Sequence, residues 1–336
     1  MSTQADDVAE QGVYLRACLA PFAQYLSRSD VTDIYVNQPK EVWLELIGGK
    51  IEQHLVPGLD EVTLGRLAKQ LAALTHQGIS REHPLLSATL PNGSRIQIVA
   101  PPATRHHLVL AIRKQVAQRL NLKDYVRIGA FSQTQRRMLG RGDDTAASPE
   151  NTTGEPDLAL DLANAVVARK NILISGGTST GKTTFLNALL REVPHAERLI
   201  LIEDTPEVSV EHPNHIGLLA VRGQLGEAYV TANDLVTASL RLRPDRLILG
   251  ELRGTEAFAF LRAINSGHPG SMTTIHADSP EAAVEQLVLL VLQAGTGLSR
   301  QDVRHYVTQT IDLFVQLRRG AQGRYIEHVA SRADWR

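Results

Sequence analysis

The sequence predicts an α/β protein, in which a domain built on a mainly parallel sheet follows a smaller α+β domain. Three observations predict it. From about residue 158, short aliphatic runs alternate with helical segments, the pattern of a parallel sheet covered on both faces. One of the strand-to-helix junctions in that stretch is the glycine-rich "GGTSTGKTT". The first third instead mixes alternating, strand-like runs with one long helical pattern.

The elements follow in order. Gly12 to Tyr25 carries apolar residues at helical spacing, while "VTDIYVNQ" and "EVWLELI" alternate as strands. "DEVTLGRLAKQLAALTHQG" is a helix with an acidic start at Asp60 and Glu61, an apolar stripe of Leu64, Leu67, Leu71 and Leu74, and a stop at Gly78. "LLSATL", "RIQIVA" and "LVLAIR" are three further strands, the first two joined through a turn at Pro91-Asn92-Gly93. Residues 1–124 are thereby expected to form the α+β domain. Ser132 to Asp157 is polar, rich in Gly, Pro, Thr and Asp, and lacks a sustained apolar period. Residues 125–157 are therefore expected to be a linker. Residues 158–336 supply the second domain, with strands "NILIS", "RLILIE", "DRLILG" and "SMTTIHA" separated by helical segments. "DLFVQLR" and "RYIEHVA" are expected to close the sheet edge as a hairpin.

Bulk composition bounds the function. The chain has 336 residues, enough for two cores, and its charges nearly cancel, with 35 Lys+Arg against 36 Asp+Glu. Near-neutral charge and 4% aromatic content argue against direct nucleic-acid binding, which calls for basic grooves and stacking rings. The lone cysteine, Cys18, excludes an internal disulfide and fits a reducing cytoplasmic setting. The N-terminus is acidic and polar, unlike a signal peptide. The longest aliphatic run, Leu287 to Leu292, is far short of a spanning helix, so membrane association is expected to be peripheral.

Gly176 to Thr184 fits G-x-x-x-x-G-K-[ST], with an aliphatic strand before it and a helix after it. Such a loop cradles phosphate. Its residues Gly176, Gly177, Thr178, Ser179, Thr180, Gly181, Lys182, Thr183 and Thr184 are the candidate nucleotide-binding set. Backbone N–H groups and the positive helix end face the anion. Lys182 reaches the β- and γ-phosphates, and Thr183 is placed to hold Mg²⁺. Hydrolysis of ATP also needs a positioned water. Two aliphatic strands end in acids: "RLILIEDTPEV" at Glu203, with Asp204 and Glu207 following, and "PDRLILGELR" at Glu251. The C-terminal ends of parallel strands lie on the P-loop side. Glu203 and Glu251 are thus candidates for activating water, and Glu251 for the Mg²⁺ shell, directly or through water.

The order of the P-loop, "LIEDTPE", "RLRPDRLILGELRG" and "SGHPGSMTTIHA" resembles the Walker A loop, acidic box, Walker B strand and histidine box of the type II and type IV secretion ATPases. "LPNGSRIQIVAPPA" followed by "LVLAIRK" is similar to the N-terminal domain of the type IV secretion traffic ATPases. The single cysteine excludes the tetracysteine motif of many type II and pilus relatives. The resemblance implies a RecA-like ATPase domain, a homohexameric ring, ATP and Mg²⁺ as cofactors, and nucleotide seated between the two domains of a subunit. It implies that Glu203 or Glu251 activates the attacking water, and that Arg95 and Arg113 reach the phosphates. It also implies partners among the inner-membrane components and other ATPases of a secretion or conjugation machine, at the cytoplasmic face of the inner membrane. Two other readings share this core: a motor of type IV pilus or type II secretion assembly, and a nucleotide-gated assembly scaffold.

"INSGHPGSMTTIHADSP" holds two histidines, a serine and an aspartate. His268 and His276 lack the i, i+4 spacing of a metalloprotease, and no third ligand stands near, which disfavours zinc. Ser271, His276 and Asp278 lack a nucleophile elbow. The remaining reading places His276 at the P-loop end of a strand, where it senses the bound nucleotide and takes part in catalysis, with His268 in the preceding turn as a second candidate sensor.

Overall fold

The computed structural model describes residues 14–47, 49–75, 77–114, 120–139, 155–222, 229–320 and 323–332. The chain divides into two compact units, one formed by Met1–Ala117 with Val221–Tyr229 and the other by Gln118–Ala220 with Val230–Arg336.

The first unit holds a six-stranded antiparallel sheet of β1 (Val31–Val36), β2 (Glu41–Leu46), β3 (Ile51–Leu55), β4 (Leu85–Thr89), β5 (Arg95–Val99) and β6 (Val109–Arg113), in the order β3-β2-β1-β6-β5-β4. Period-2 alternation explains its buried face: Ile96 and Ile98 of β5, and Leu110 and Ile112 of β6, point the same way and are nearly inaccessible. The helix Glu61–Leu74 starts where Asp60 accepts a hydrogen bond from the Thr63 N–H at 2.8 Å, a side-chain N-cap. Its leucine stripe, Leu64, Leu67 and Leu71, is buried in the same core as the strand residues. β3, reading "IEQHL", has a pattern too polar to stand out in the sequence. Two-residue strands β11 (Val221–Arg222) and β12 (Tyr229–Val230) pair with each other.

The second unit holds an eight-stranded sheet: β7 (Gln135–Leu139), β8 (Ile172–Gly176), β9 (Leu199–Glu203), β10 (His215–Leu219), β13 (Arg246–Leu249), β14 (Met272–Ile275), β15 (Leu313–Gly320) and β16 (Gly323–Arg332). Their order is β10-β9-β13-β14-β8-β15-β16-β7. Every neighbouring pair is parallel except β15 with β16. Strands β8, β9, β13 and β14 are buried along their whole length, which is why the first three read as mainly aliphatic runs; β14 instead buries Thr273 and Thr274. Alternation divides their residues between two cores. Ile172, Ile174, Leu199, Leu201 and Ile248 join one, while Leu173, Ile200, Ile202, Leu247 and Leu249 join the other.

Two expectations need correction here. Residues 125–157 are not a linker throughout: the helix Leu122–Arg127 caps itself through Asn121 and Asp124, and β7 pairs in parallel with β16. Residues 140–154 of that stretch lie outside the described residues. β7 escaped notice because "QRRML" is a short edge strand with charged side chains, the ordinary way to blunt a sheet edge. Arg136 pairs with Asp161, and Arg137 lies 3.8 Å from Glu281. For the same reason the hairpin β15–β16 is not the sheet edge; β7 covers it, and β15 lies beside the central β8. Among the described residues, no helix is long and apolar enough to cross a membrane.

Candidate nucleotide site

Strands β8, β14, β13 and β9 run side by side and parallel, so their C-terminal ends gather on one side of the sheet. Gly176 closes β8, and the helix Lys182–Leu190 begins six residues later. The loop between them is tightly wound. A Cβ on Gly176 would stand 2.5 Å from Thr180 Oγ1 and 2.8 Å from the Leu317 carbonyl, so only glycine fits. Ser179 and Gly181 both adopt positive φ, at 61° and 93°. Thr180 Oγ1 donates to the Gly177 carbonyl at 2.9 Å. Thr178 and Ser179 are exposed at the tip, while Lys182 is buried and Thr183 and Thr184 are half-buried.

Lys182 folds back over the loop, its ammonium donating to the Gly176 carbonyl at 2.9 Å and the Gly177 carbonyl at 3.0 Å. Burial pulls its pKa down, and the nearby Glu251 carboxylate opposes that pull. Nζ also lies 3.3 Å from His276 Nδ1. His276 follows the last residue of β14, next to the P-loop strand. Its pKa is lowered first by burial and then by the Lys182 charge, with Glu251 acting the other way. A neutral imidazole accepting at Nδ1 carries its proton on Nε2, and Nε2 lies 2.8 Å from Glu251 Oε1. That approach is close, though out of line for a hydrogen bond, and Oε1 is buried. Glu251 Oε2 accepts from Arg253 Nε at 2.6 Å, and a second guanidinium nitrogen closes on the same oxygen. Arg253 in turn lies 3.8 Å from Asp204. The side chains of Lys182, His276, Glu251 and Arg253 therefore form one chain of charge and hydrogen bonding across three strand ends.

Glu203 closes β9, one strand further from the P-loop. The residue is 8% exposed, and Oε1 accepts from the backbone N–H groups of Glu207 at 2.8 Å and Val208 at 2.7 Å. Gly250 makes room for it: a Cβ there would sit 3.2 Å from Glu203 Cγ. The turn so held delivers Glu207 to the P-loop helix, where Thr183 Oγ1 donates to Glu207 Oε2 at 3.1 Å.

The structure thus brings Lys182, Thr183, His276 and Glu251 together. It does not bring His268 to them. His268 precedes β14, at the opposite end of the strand from His276, and its Nδ1 lies 3.0 Å from the Ala263 carbonyl at the end of the helix Glu256–Asn265. The Gly-Pro turn that looked like a sensor loop is a connection at the far side of the sheet. Arg95 and Arg113 stand opposite each other in register on β5 and β6 of the first unit, and Arg113 Nε donates to Asp33 at 2.8 Å. Sequence reading singled out neither Glu256, which holds the turn after β13, nor Arg324 of β16, whose Nε donates to the Ser179 carbonyl at 3.0 Å. Glu256 had a readable signal, an acid in the first turn of a helix just after a glycine; Arg324 had none.

Residues 17–320 match the type II/IV secretion system protein family. The chain belongs to that family. It is 37% identical over 316 residues to the type IV secretion system protein VirB11 of Bartonella henselae, covering 90% of this chain and 88% of that one. It is 38% identical over 315 residues to the type IV secretion system protein PtlH of Bordetella pertussis, covering 89% of each. Among solved structures it is similar in fold to the ATPase DotB of Legionella pneumophila, with TM-score 0.61 at 18% identity, covering 94% of this chain and 79% of that one. The pilus retraction motor PilT, solved with bound ADP, aligns with TM-score 0.59 at 19% identity, covering 93% of this chain and 82% of that one. Membership in the type II/IV secretion system protein family and the α/β fold shared with those two structures are thereby established.

Proposed function

We propose that this chain hydrolyses ATP with Mg²⁺ as part of a type IV secretion or conjugation machine, working as a homohexameric ring. The observation that carries the reading is the convergence of a P-loop lysine, a neutral histidine and a strand-end glutamate on one side of the sheet. In this reading the P-loop backbone and Lys182 bind the phosphates, and the ammonium exchanges its two backbone carbonyls for phosphate oxygens. Thr183, Glu207 and Glu251 form an all-oxygen set beside the helix start, which suits a hard cation that keeps several waters and binds phosphate as well. Thr183 would hold Mg²⁺, with Glu207 and Glu251 in its outer shell, and when bound the ion neutralises charge developing on the phosphates. Glu251 is the better candidate for general base. It stands one strand nearer the P-loop than Glu203, while Glu203 Oε1 is committed to two backbone N–H groups. His276 bridges Lys182 and Glu251 and registers what sits on the lysine. Arg95 and Arg113 stay in the proposal as candidate phosphate ligands on the family resemblance, as do peripheral association with the inner membrane and partnership with the other components of the machine.

The test is ATP turnover by the full chain with and without Mg²⁺, alongside Lys182→Ala. The substitution is expected to weaken ATP binding by at least a hundredfold and to abolish turnover. Turnover that survives Lys182→Ala, or that ignores Mg²⁺, overturns the reading. Native mass spectrometry checks the ring, and a stable monomer with full ATPase activity would remove the hexamer from the proposal.

A further inference from the structure

We infer that Arg324 is a positioning residue of the P-loop, holding the Ser179–Thr180 peptide in the orientation that binds phosphate; this rests on the nucleotide-binding reading of the loop. Arg324 lies on β16, whose strand neighbours are β15 and β7. It approaches the P-loop from the side of β8 opposite to β14, β13 and β9, which carry His276, Glu251 and Glu203. Its Nε donates to the Ser179 carbonyl at 3.0 Å. Its Cδ stands only 3.1 Å from where a Cβ on Gly181 would be, so the side chain lies along the loop from Ser179 to the helix start.

Ser179 is where the loop most needs holding. It is a non-glycine residue at φ 61°, a left-handed conformation that costs about 1 kcal/mol or more. A trans peptide is planar, with its C=O and N–H pointing in opposite directions. Fixing the Ser179 carbonyl therefore also fixes the direction of the Thr180 N–H. In a phosphate cradle the N–H groups must converge inward, so their carbonyls must be held from outside. A guanidinium on that carbonyl does both jobs at once: it offsets the strain of the left-handed turn, and it polarises the peptide so that the opposite N–H becomes a stronger donor to an anion. The same hairpin supports the loop at two further points. The Leu317 carbonyl abuts Gly176, and buried Gln316 bonds Ser175 Oγ and donates to the Ala277 carbonyl at 3.1 Å, one residue past His276. Those two contacts set where the loop begins; Arg324 sets its apex.

The experiment measures ATP and ADP affinity, kcat, KM and melting temperature for the full chain, Arg324→Ala, Arg324→Lys and Arg318→Ala. Arg318 is the control on the same hairpin, exposed and paired with Glu327. Arg324→Ala is expected to weaken both nucleotides by about tenfold and to raise KM by the same factor, the size of one lost charge-assisted hydrogen bond, with kcat kept within about twofold. Arg324→Lys is expected to recover part of the loss, because an ammonium still reaches a carbonyl but without the planar fork. Arg318→Ala is expected to match the parent chain. Unchanged nucleotide affinity in Arg324→Ala, a loss confined to kcat, or an equal loss in Arg318→Ala overturns the inference, the last by showing that any damage to the hairpin has the same effect. A parent chain that binds no nucleotide overturns the proposed function instead.

Discussion

Two turns on the P-loop side of the sheet use the same device in opposite order. After β9, the strand-end acid Glu203 turns inward and accepts the N–H groups of Glu207 and Val208, and the turn carries the later acid Glu207 to Thr183. After β13, the later acid turns inward instead: Glu256, 6% exposed, accepts the N–H groups of Arg253 and Gly254, each at 2.7 Å. That leaves the strand-end acid Glu251 facing Lys182 and His276, with Arg253 across its other oxygen. Each turn thus spends one carboxylate on its own backbone and presents the other to the site. The difference teaches that a glutamate's position on a strand does not reveal its job; what matters is which carboxylate the local N–H groups have claimed.

The largest expected effect separates the two strand-end acids. Glu251→Gln keeps the shape but removes the proposed base, so turnover should fall about a thousandfold, within the range for loss of a general base, while ATP affinity and melting temperature hold. Glu203→Gln keeps an oxygen for the two N–H groups and should fall by far less. If Glu203→Gln is the dead variant and Glu251→Gln turns over, the assignment of roles is reversed.

Next is stability. Glu203→Ala leaves two half-buried N–H groups without their acceptor, costing about 2 kcal/mol, the low end of roughly 1–3 kcal/mol for each unsatisfied buried group because water can reach them. Glu256→Ala should cost a similar amount, since it strips the same pair of bonds from the other turn. The two should part in kinetics. Losing Glu256 frees the segment bearing Arg253 and should lower kcat about tenfold through Glu251; losing Glu203 should act through Glu207 and Thr183, raising the Mg²⁺ concentration needed for half-maximal turnover. Urea denaturation and Mg²⁺ titration of both variants measure this. Equal kinetic profiles would collapse the distinction between the turns.

Sequence alone displayed the sheet and half of this site. The runs of β8, β9 and β13 are legible because burial on both faces leaves few polar positions to blur them, while β14 was found despite its buried Thr273 and Thr274. Lys182, Thr183, Glu203, Glu251 and His276 are legible because a P-loop pattern and polar residues at the ends of apolar strands stand out in the sequence, and the structure puts them on one side of the sheet. What was hidden depends on distant partners. β7 looked like linker because an edge strand needs few apolar residues. His268 stood as a second candidate although the sequence already puts it before β14 and His276 after it; the structure shows that these are opposite ends of the strand, and His268 lies against the Ala263 carbonyl. Gly250 reads as part of a motif, yet its reason is the neighbouring strand's Glu203, which needs the space. Arg324 sits 145 residues from the carbonyl it holds, a separation across which no local pattern carries information.

The smallest expected effect concerns the histidine that joins the two strand ends nearest the P-loop. His276 has a folded-state pKa below its ordinary value of 6.5, chiefly from burial and then from the Lys182 charge. In the unfolded chain it takes up its proton at the ordinary value, so on acidification the unfolded state binds the proton first. Stability therefore rises with pH in that window and is lost as pH falls below 6.5 toward the folded pKa. With the side chain 49% exposed, solvent screening keeps the effect modest. Turnover should follow the folded pKa more sharply. A protonated Nδ1 can no longer accept from the Lys182 ammonium, and two cations would then face each other at 3.3 Å. The acid limb of kcat should thus lie below pH 6.5, and His276→Gln should flatten it while lowering the plateau about tenfold. Were the variant to keep the parent's acid limb, the titrating group would lie elsewhere, and the link between Lys182 and Glu251 would be one of packing rather than proton state.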